Sequence, residues 1–368
     1  MRILFWSENY APQIGGVEVL ARATALGLTR RGHECHIITN LIHRDQPGRE
    51  SDEGIVVHRL PLRQSVISRD LRALHAVRSA IARVREEVKP DAEQMYFTGA
   101  FLRFQTMPTP HTAPCLAVSL QLLVEDVLAS MPVRETLART AHHITAPSLD
   151  GFRRLTERAP ELAPRLRFLP NSLPFPDLLP TSLPLDPPTI LTYGRLVSEK
   201  GFDTALRAFQ SIAAHPSRPR LTVAGDGPER AALEALAASL GISDQVTFNG
   251  WQPPGKVAEL INQSTLVLVP SRWPELFGLV ALEAAQLGRP VISTRSGGLV
   301  DIVVDHETGR LVPIDDAVAM AEALFQLLSD PDTLIRMGTR ARERAVQHFD
   351  FGRFLDRHLE LYANPSLG

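Results

Sequence analysis

Two carboxylates eight residues apart carry the clearest chemistry in this sequence. They stand in Pro270-Ser-Arg-Trp-Pro-Glu275-Leu-Phe-Gly278-Leu-Val-Ala-Leu-Glu283-Ala. Glu275 falls in a loop behind the apolar run Thr265–Val269. Glu283 falls inside a helix expected from Leu279 to Leu287. The backbone N–H groups of Phe277, Gly278 and Leu279 lie where that helix begins and have no intrahelical acceptor. Free donors beside a carboxylate suit a polyhydroxylated, anionic ligand. The plainer alternative makes Glu275 a loop charge and Glu283 a solvated helix residue. For Glu283 the neighbours argue against it. Leu279, Val280, Ala281, Leu282, Ala284, Ala285 and Leu287 make the helix apolar nearly all round, hence buried, and a buried carboxylate needs a partner or a ligand.

A second cluster is Tyr193-Gly194-Arg195-Leu196-Val197-Ser198-Glu199-Lys200-Gly201, directly after a strand-like run. A guanidinium fork at Arg195 and a point charge at Lys200 together suit a diphosphate. The alternative is a solvated turn in which Glu199 pairs one of the cations. Gly15-Gly16 follows the first strand of the chain and brings backbone close to the same kind of phosphate. Gly225-Asp-Gly227-Pro228 reads as a turn into a helix, since Arg230 stands where a dinucleotide fingerprint needs glycine. Asp330-Pro-Asp332 resembles a metal-binding Asp-x-Asp but sits between helical stretches, so it reads as a helix cap. No His, Cys and carboxylate set has metal-ligand spacing, and no cofactor is expected. Trp251 is read either as a neighbour of a nucleotide base or as core.

These residues need a scaffold that repeats strand, loop, helix. Arg2–Ser7, His36–Thr39, Ile55–Arg59, Leu116–Leu120 and Ile144–Ala146 read as strands of the first half. A helical stripe runs over 66–88 through Ile67, Leu71, Leu74, Ile81, Val84 and Val88, and Ser148 is a helix N-cap. Six prolines between 174 and 188 exclude helix and central strand there. Beyond them come strands at Ile190–Tyr193, Leu221–Ala224, Gln245–Phe248, Thr265–Val269 and Val291–Ser293. Helices are expected at Asp203–Ala214, Glu229–Leu240, Lys256–Asn262, Leu279–Leu287 and Phe351–Tyr362. The pattern implies an α/β fold of two Rossmann-like domains with parallel sheets facing across a cleft. The boundaries expected are 1–172 for the N-terminal domain, 173–188 for a Pro-rich linker and 189–345 for the C-terminal domain. A helix over 346–368 closes the chain, with a return to the N-terminal domain as one option. Ligands of such sheets bind at the carboxyl ends of the strands.

The 368 residues, 44% of them hydrophobic, suffice for two cores and exclude disorder as the main state. Two cysteines build no disulfide framework, no run approaches a membrane span, and the opening segment is too short for a signal peptide. A cytoplasmic protein is the expectation. Residues 1–172 hold 22 basic against 18 acidic side chains, the remainder 17 against 23. Arg69, Arg72, Arg78, Arg83 and Arg85 lie off the apolar face of 66–88, so a peripheral contact with an anionic membrane, at its inner face, is entertained beside the plainer solvated face. Nucleic acid is not expected as a partner.

Taken together, the motifs resemble the retaining glycosyltransferases of family 4, which have the GT-B fold. The resemblance runs through Gly15-Gly16-Val17-Glu18, Arg31-Gly32-His33, Pro170-Asn171, Gly194-Arg195-Leu196, Glu199-Lys200-Gly201, the Gly225 turn, Glu275-x7-Glu283 and Ser296-Gly297-Gly298. It implies metal-independent transfer of a hexose from a nucleotide-diphosphate sugar to a glycan, lipid-linked or small-molecule acceptor. It implies catalytic roles for Arg195, Lys200 and Glu275. Donor contacts fall to Gly15, Gly16, Arg195, Lys200, Glu275, Phe277, Gly278, Leu279 and Glu283, with Glu275 on the sugar and Glu283 on the ribose. One departure stands out: where relatives carry a His-Asp, this chain has Leu120-Gln121. Gln121, Glu125 and His111 are the acceptor-side candidates in its place. The rivals are a nucleotide-sugar epimerase on the same plan and a sugar-nucleotide-binding protein with a decayed site.

Overall fold

The computed structural model describes residues 1–12, 15–43, 45–99 and 101–365. The chain forms two compact units, Met1–Asn171 with Phe351–Gly368, and Ser172–Asp350.

The first unit runs β1 (Arg2–Trp6), α1 (Gly16–Arg30), β2 (Glu34–Asn40), β3 (Arg49–Asp52), β4 (Ile55–Leu60), α2 (Leu62–Ile67), α3 (Leu71–Val88) and β5 (Ala92–Phe97). It continues with α4 (Leu102–Gln105), β6 (Leu116–Leu120), α5 (Val124–Ala129), α6 (Met131–Thr140), β7 (His143–Ala146), α7 (Leu149–Arg158) and β8 (Leu166–Phe168). The sheet order is β3-β4-β2-β1-β5-β6-β7-β8. The expectation of a purely parallel sheet is corrected at one edge, where β3 pairs antiparallel with β4. Its sequence, Arg-Glu-Ser-Asp, puts charge on an edge that would otherwise invite foreign strands.

The single stripe expected over 66–88 is also corrected. The helix breaks at Ser68–Asp70, with Arg69 at φ 54°, and Asp70 accepts from the Arg72 N–H to start α3 afresh. Apolar spacing continues across the break, which is why periodicity alone joins the two pieces. Arg85 does not face outward. It is 1% exposed and bonds both oxygens of Glu93 at 2.8 Å. Its guanidinium lies 5.5 Å from the Trp6 ring centroid, and the Trp6 indole N–H donates to Glu93 at 2.8 Å. Arg78 stays exposed, with its guanidinium against the Met107 sulfur at 2.9 Å.

The second unit runs β9 (Thr189–Tyr193), α8 (Phe202–Ile212), β10 (Arg220–Ala224), α9 (Arg230–Ser239), β11 (Val246–Gly250), α10 (Pro254–Asn262) and β12 (Leu266–Val269). There follow α11 (Leu279–Gln286), β13 (Val291–Thr294), α12 (Leu299–Ile302), β14 (Gly309–Val312), α13 (Ala317–Ser329) and α14 (Pro331–His348). The last helix, α15 (Phe351–Ala363), belongs to the first unit. The second sheet is parallel, in the order β11-β10-β9-β12-β13-β14. One face packs Ile190, Phe209, Leu268 and Leu324 together, the other Val267, Ala281, Leu282 and Leu299. The Pro-rich stretch is part of this unit's packing. Leu183 and Leu185 lie on one core and Phe175 on the other. Buried Arg289 donates to the Thr181 carbonyl and hydroxyl, both at 2.9 Å. Asp330 caps α14, accepting from the Thr333 N–H at 3.0 Å. Among the described residues no helix is long and apolar enough to cross a membrane.

Two buried histidines of the first unit add to its acid sensitivity. His58 stacks on His36, with ring nitrogens 3.1 Å apart, and burial followed by the charge of His36 pushes its pKa down to about 4. Burial pushes His358 of α15 down to about 4 as well. Both stay neutral in the folded chain while the unfolded chain takes up protons near the ordinary value of 6.5. Stability is therefore lost as pH falls from that value toward 4, by at most about 3 kcal/mol per residue. Urea unfolding at stepped pH checks this: His58→Gln should flatten the loss, and an unchanged slope would contradict it.

Candidate active site

The carboxyl ends of β9, β10, β12 and β13 meet in a set of loops packed backbone against backbone. The Gly194 N–H donates to the Ala224 carbonyl at 3.0 Å, Leu196 to Asp226 at 2.9 Å, and Gly225 to Gly250 at 2.7 Å. Two glycines are required by this packing. A Cβ on Gly201, at φ 68°, would strike the Pro270 carbonyl, and one on Gly297, at φ 50°, would strike the Glu275 backbone. The Gly298 N–H closes the contact by donating to the Glu275 carbonyl at 2.6 Å.

Arg272, which sequence reasoning passed over, ties the turn after β9 to the loop after β12. Its side chain donates to the Ser198 carbonyl at 2.8 Å and to Asp203 at 2.7 Å, and pairs with Asp315. Its N–H reaches the Glu199 carbonyl at 2.9 Å. With the loops so fixed, Lys200 Nζ lies 2.5 Å from Glu275 Oε1. The Ser271 hydroxyl donates to the same oxygen at 2.5 Å. Glu275 Oε2 has no partner among the described residues. The alternative pairing of Lys200 with Glu199 is not formed; among the described residues the Glu199 carboxylate accepts only from the Ser198 hydroxyl, at 3.3 Å. Arg195 is exposed, and its guanidinium has no partner among the described residues.

Glu283 lies one turn into α11, whose N-cap, Gly278, has φ 99° and no capping side chain. Tyr193 donates its hydroxyl to Glu283 Oε2 at 2.8 Å. Burial pushes the Glu283 carboxyl up to about 7, against the opposing effect of the Tyr193 hydrogen bond. Tyr193 itself is pushed well up by burial and then by the Glu283 charge. Phe277 offers only backbone: its ring is 2% exposed and packs edge-on against Phe349 at 5.6 Å. Leu279 is partly buried at the start of the helix. Trp251 is 56% exposed, so the core reading for it is corrected.

In the first unit, Gly15 is the N-cap of α1 and Gly16 its first residue, with Glu18 folded back over Gly15. Gln121 follows β6 and exchanges two hydrogen bonds of 3.3 Å with Asn171, both buried. Glu125 pairs with Arg154. His111 is corrected as an acceptor-side candidate. It precedes β6 and pairs with Glu86 in the last turn of α3, at the amino edge of the sheet rather than the carboxyl edge. A residue missed in the sequence occupies the carboxyl edge: Glu8, behind β1, accepts from Thr98 and from Arg63, each at 2.7 Å. Leu120, at the family's histidine position, is 3% exposed in the core. Among the described residues no cluster of His, Cys, Asp and Glu could hold a metal.

The model of the group 1 glycosyl transferases matches residues 180–344, and that of glycosyltransferase family 4 matches 14–173. A D-inositol 3-phosphate glycosyltransferase of Rhodococcus jostii is 30% identical over 385 residues, covering 95% of this chain and 84% of that relative. The chain belongs to the group 1, family 4 glycosyltransferases. It spans 38% to 51% of the length of four further curated relatives that it matches. Sucrose-phosphate synthase from Thermosynechococcus elongatus shares the fold at a TM-score of 0.82, with 24% identity over 98% of each chain. Anabaena HepE, solved in complex with UDP-glucose, does so at 0.79, with 19% identity over 98% of this chain and 99% of that one. Family membership agrees with two Rossmann-like units of the GT-B kind.

The Tyr193–Glu283 bond yields a test. Tyr193→Phe removes the hydrogen bond that favours the ionised carboxyl, so the Glu283 pKa should rise by about one unit. The Glu283 carboxyl, followed across pH by infrared or NMR spectroscopy, should titrate at higher pH in this variant, while an unchanged titration would contradict the coupling.

Proposed function

We propose that this chain is a retaining hexosyltransferase that needs no metal. It moves a hexose from a nucleotide-diphosphate sugar to a hydroxyl of a glycan, lipid-linked or small-molecule acceptor. The observation that carries this reading is the Lys200–Glu275 pair together with an exposed Arg195 whose guanidinium has no partner among the described residues, all at the carboxyl edge of the second sheet. A diphosphate entering there meets a guanidinium fork, an ammonium and the N-terminus of α11. Lys200 then shares its charge with phosphate and loosens its hold on Glu275. That frees carboxylate oxygen to accept hydroxyls of the sugar. Glu283, braced by Tyr193, takes the ribose.

In the reaction the bond from the anomeric carbon to the diphosphate oxygen breaks, and the bond to the acceptor oxygen forms on the same face. The acceptor's proton passes to the departing diphosphate. Arg195 and Lys200 hold the negative charge as it grows, a stabilisation aimed at the transition state and supplied by side chains fixed in advance. Positive charge of this kind takes the place of a cation. Substitution within an ion pair, with the leaving diphosphate taking the acceptor's proton, is the route inferred in place of double displacement. The UDP-glucose complex of HepE and the inositol phosphate in the Rhodococcus relative's name support a sugar nucleotide and a hydroxyl-bearing acceptor. Two buried free thiols, Cys35 and Cys115, support work in the reducing cytoplasm.

Thermal-shift screening with UDP-, GDP- and ADP-sugars tests the reading first, and at least one should raise the unfolding midpoint. Arg195→Ala and Glu275→Gln should each then lower turnover about 10²- to 10³-fold with the fold intact. Near-normal turnover in both variants would refute the assigned roles.

A further inference from the structure

The outer face of α15 and the edge strand β8 enclose a cavity of about 510 Å³ within the first unit. That volume is typical of a small-molecule site. Arg167 and Phe168 of β8 form one wall, and Arg353, Arg357 and Glu360 of α15 form the other. The three helix residues stand at positions i, i+4 and i+7, one stripe on the side of α15 away from buried Phe354, Leu355, His358 and Tyr362. Like charges one turn apart on a helix cost stability, and an anion held beside them offsets that cost. Arg357 is exposed, and its guanidinium has no partner among the described residues. The Glu360 carboxylate is exposed and likewise has none among them.

Both walls are fixed by contacts outside the cavity. Arg31, the C-cap of α1, donates to Asp356 at 2.7 Å and to the Gly352 carbonyl at 3.0 Å, which neutralises the acid of that turn. At the other end of α15, the Tyr362 hydroxyl donates to Gln94 of β5 at 2.9 Å, and His143 Nε2 lies 2.9 Å from the Asn364 carbonyl oxygen. Across the cavity Arg167 donates to the Pro164 carbonyl at 2.8 Å and to the Leu166 carbonyl at 2.9 Å. The Phe168 ring is partly buried, its centroid 6.3 Å from that of Phe152. A guanidinium fork takes a phosphate through two charge-assisted hydrogen bonds. A carboxylate lining the same cavity admits only a ligand that carries hydrogen-bond donors away from its anionic end. We propose that this cavity binds a phosphomonoester of a sugar or other small polyol. The phosphate sits on Arg357, with Arg167 and Arg353 around it, and the hydroxyls donate to Glu360. None of these residues belongs to the donor site assigned above, and the inference holds whether or not the chain transfers a hexose.

Titration calorimetry of the full chain with glucose 6-phosphate, inorganic phosphate and glucose tests it. Glucose 6-phosphate should bind about tenfold or more tightly than either of the other two. Arg357→Gln should weaken its binding by a similar factor, and Glu360→Ala should bring glucose 6-phosphate and inorganic phosphate to equal affinity. Both side chains are exposed, so the unfolding midpoints of the two variants should match that of the parent chain. The thermal shift with a sugar nucleotide should persist in each; its absence from the parent chain would count against the transferase reading alone. No binding of glucose 6-phosphate to the parent chain, or undiminished binding to Arg357→Gln, would overturn the proposal. So would inorganic phosphate binding as tightly as glucose 6-phosphate, which would leave an adventitious ion only.

Discussion

The second unit depends on one constraint: loops from four parallel strands must touch through their backbones. Gly201 against Pro270 and Gly297 against Glu275 leave no room for a side chain. That closeness brings Lys200 to Glu275 across 75 residues of sequence. A cation and an anion held in contact, partly shielded from water, attract more strongly than they would in free solution. The pair is nonetheless open to exchange, since one carboxylate oxygen carries both hydrogen bonds and the other carries none among the described residues.

Charge at this edge is arranged in grades of readiness. Arg195 is exposed and without a partner among the described residues, Lys200 is paired but one-third exposed, and Glu283 is half-buried with its carboxyl pushed up to about 7. Arg272 is spent wholly on structure, joining the two loops that carry the others. Such division of labour lets the binding groups stay under-satisfied while the backbone beneath them does not move. Under-satisfied groups on a rigid base are what a charged ligand can use, because no reorganisation is needed when it arrives.

Much of this was readable before any coordinates. Short β-branched runs such as Ile190–Tyr193 and Leu266–Val269 mark buried parallel strands, and the spacing of Glu275 and Glu283 places one in a loop and one in a helix. What stayed hidden did so for physical reasons. Strand β5 carries Glu93 and Gln94 at its centre, which read as surface residues. In the fold Glu93 is consumed by Arg85 and Trp6, and Gln94 by Tyr362. The break at Arg69 uses neither glycine nor proline. His111 misled because a histidine near an expected site looks useful until the topology puts it at the opposite edge of the sheet. The contacts of Lys200 with Glu275, Tyr193 with Glu283 and Glu8 with Thr98 are long-range, and no local pattern encodes them.

The most direct test is a crystal structure of the chain with UDP-glucose or another sugar nucleotide that stabilises it. Expected are diphosphate oxygens within hydrogen-bond distance, about 2.7–3.2 Å, of both Arg195 and Lys200, with Lys200 drawn off Glu275 and the sugar hydroxyls on that carboxylate. A nucleotide bound elsewhere, with the Lys200–Glu275 contact undisturbed, would contradict the central claim.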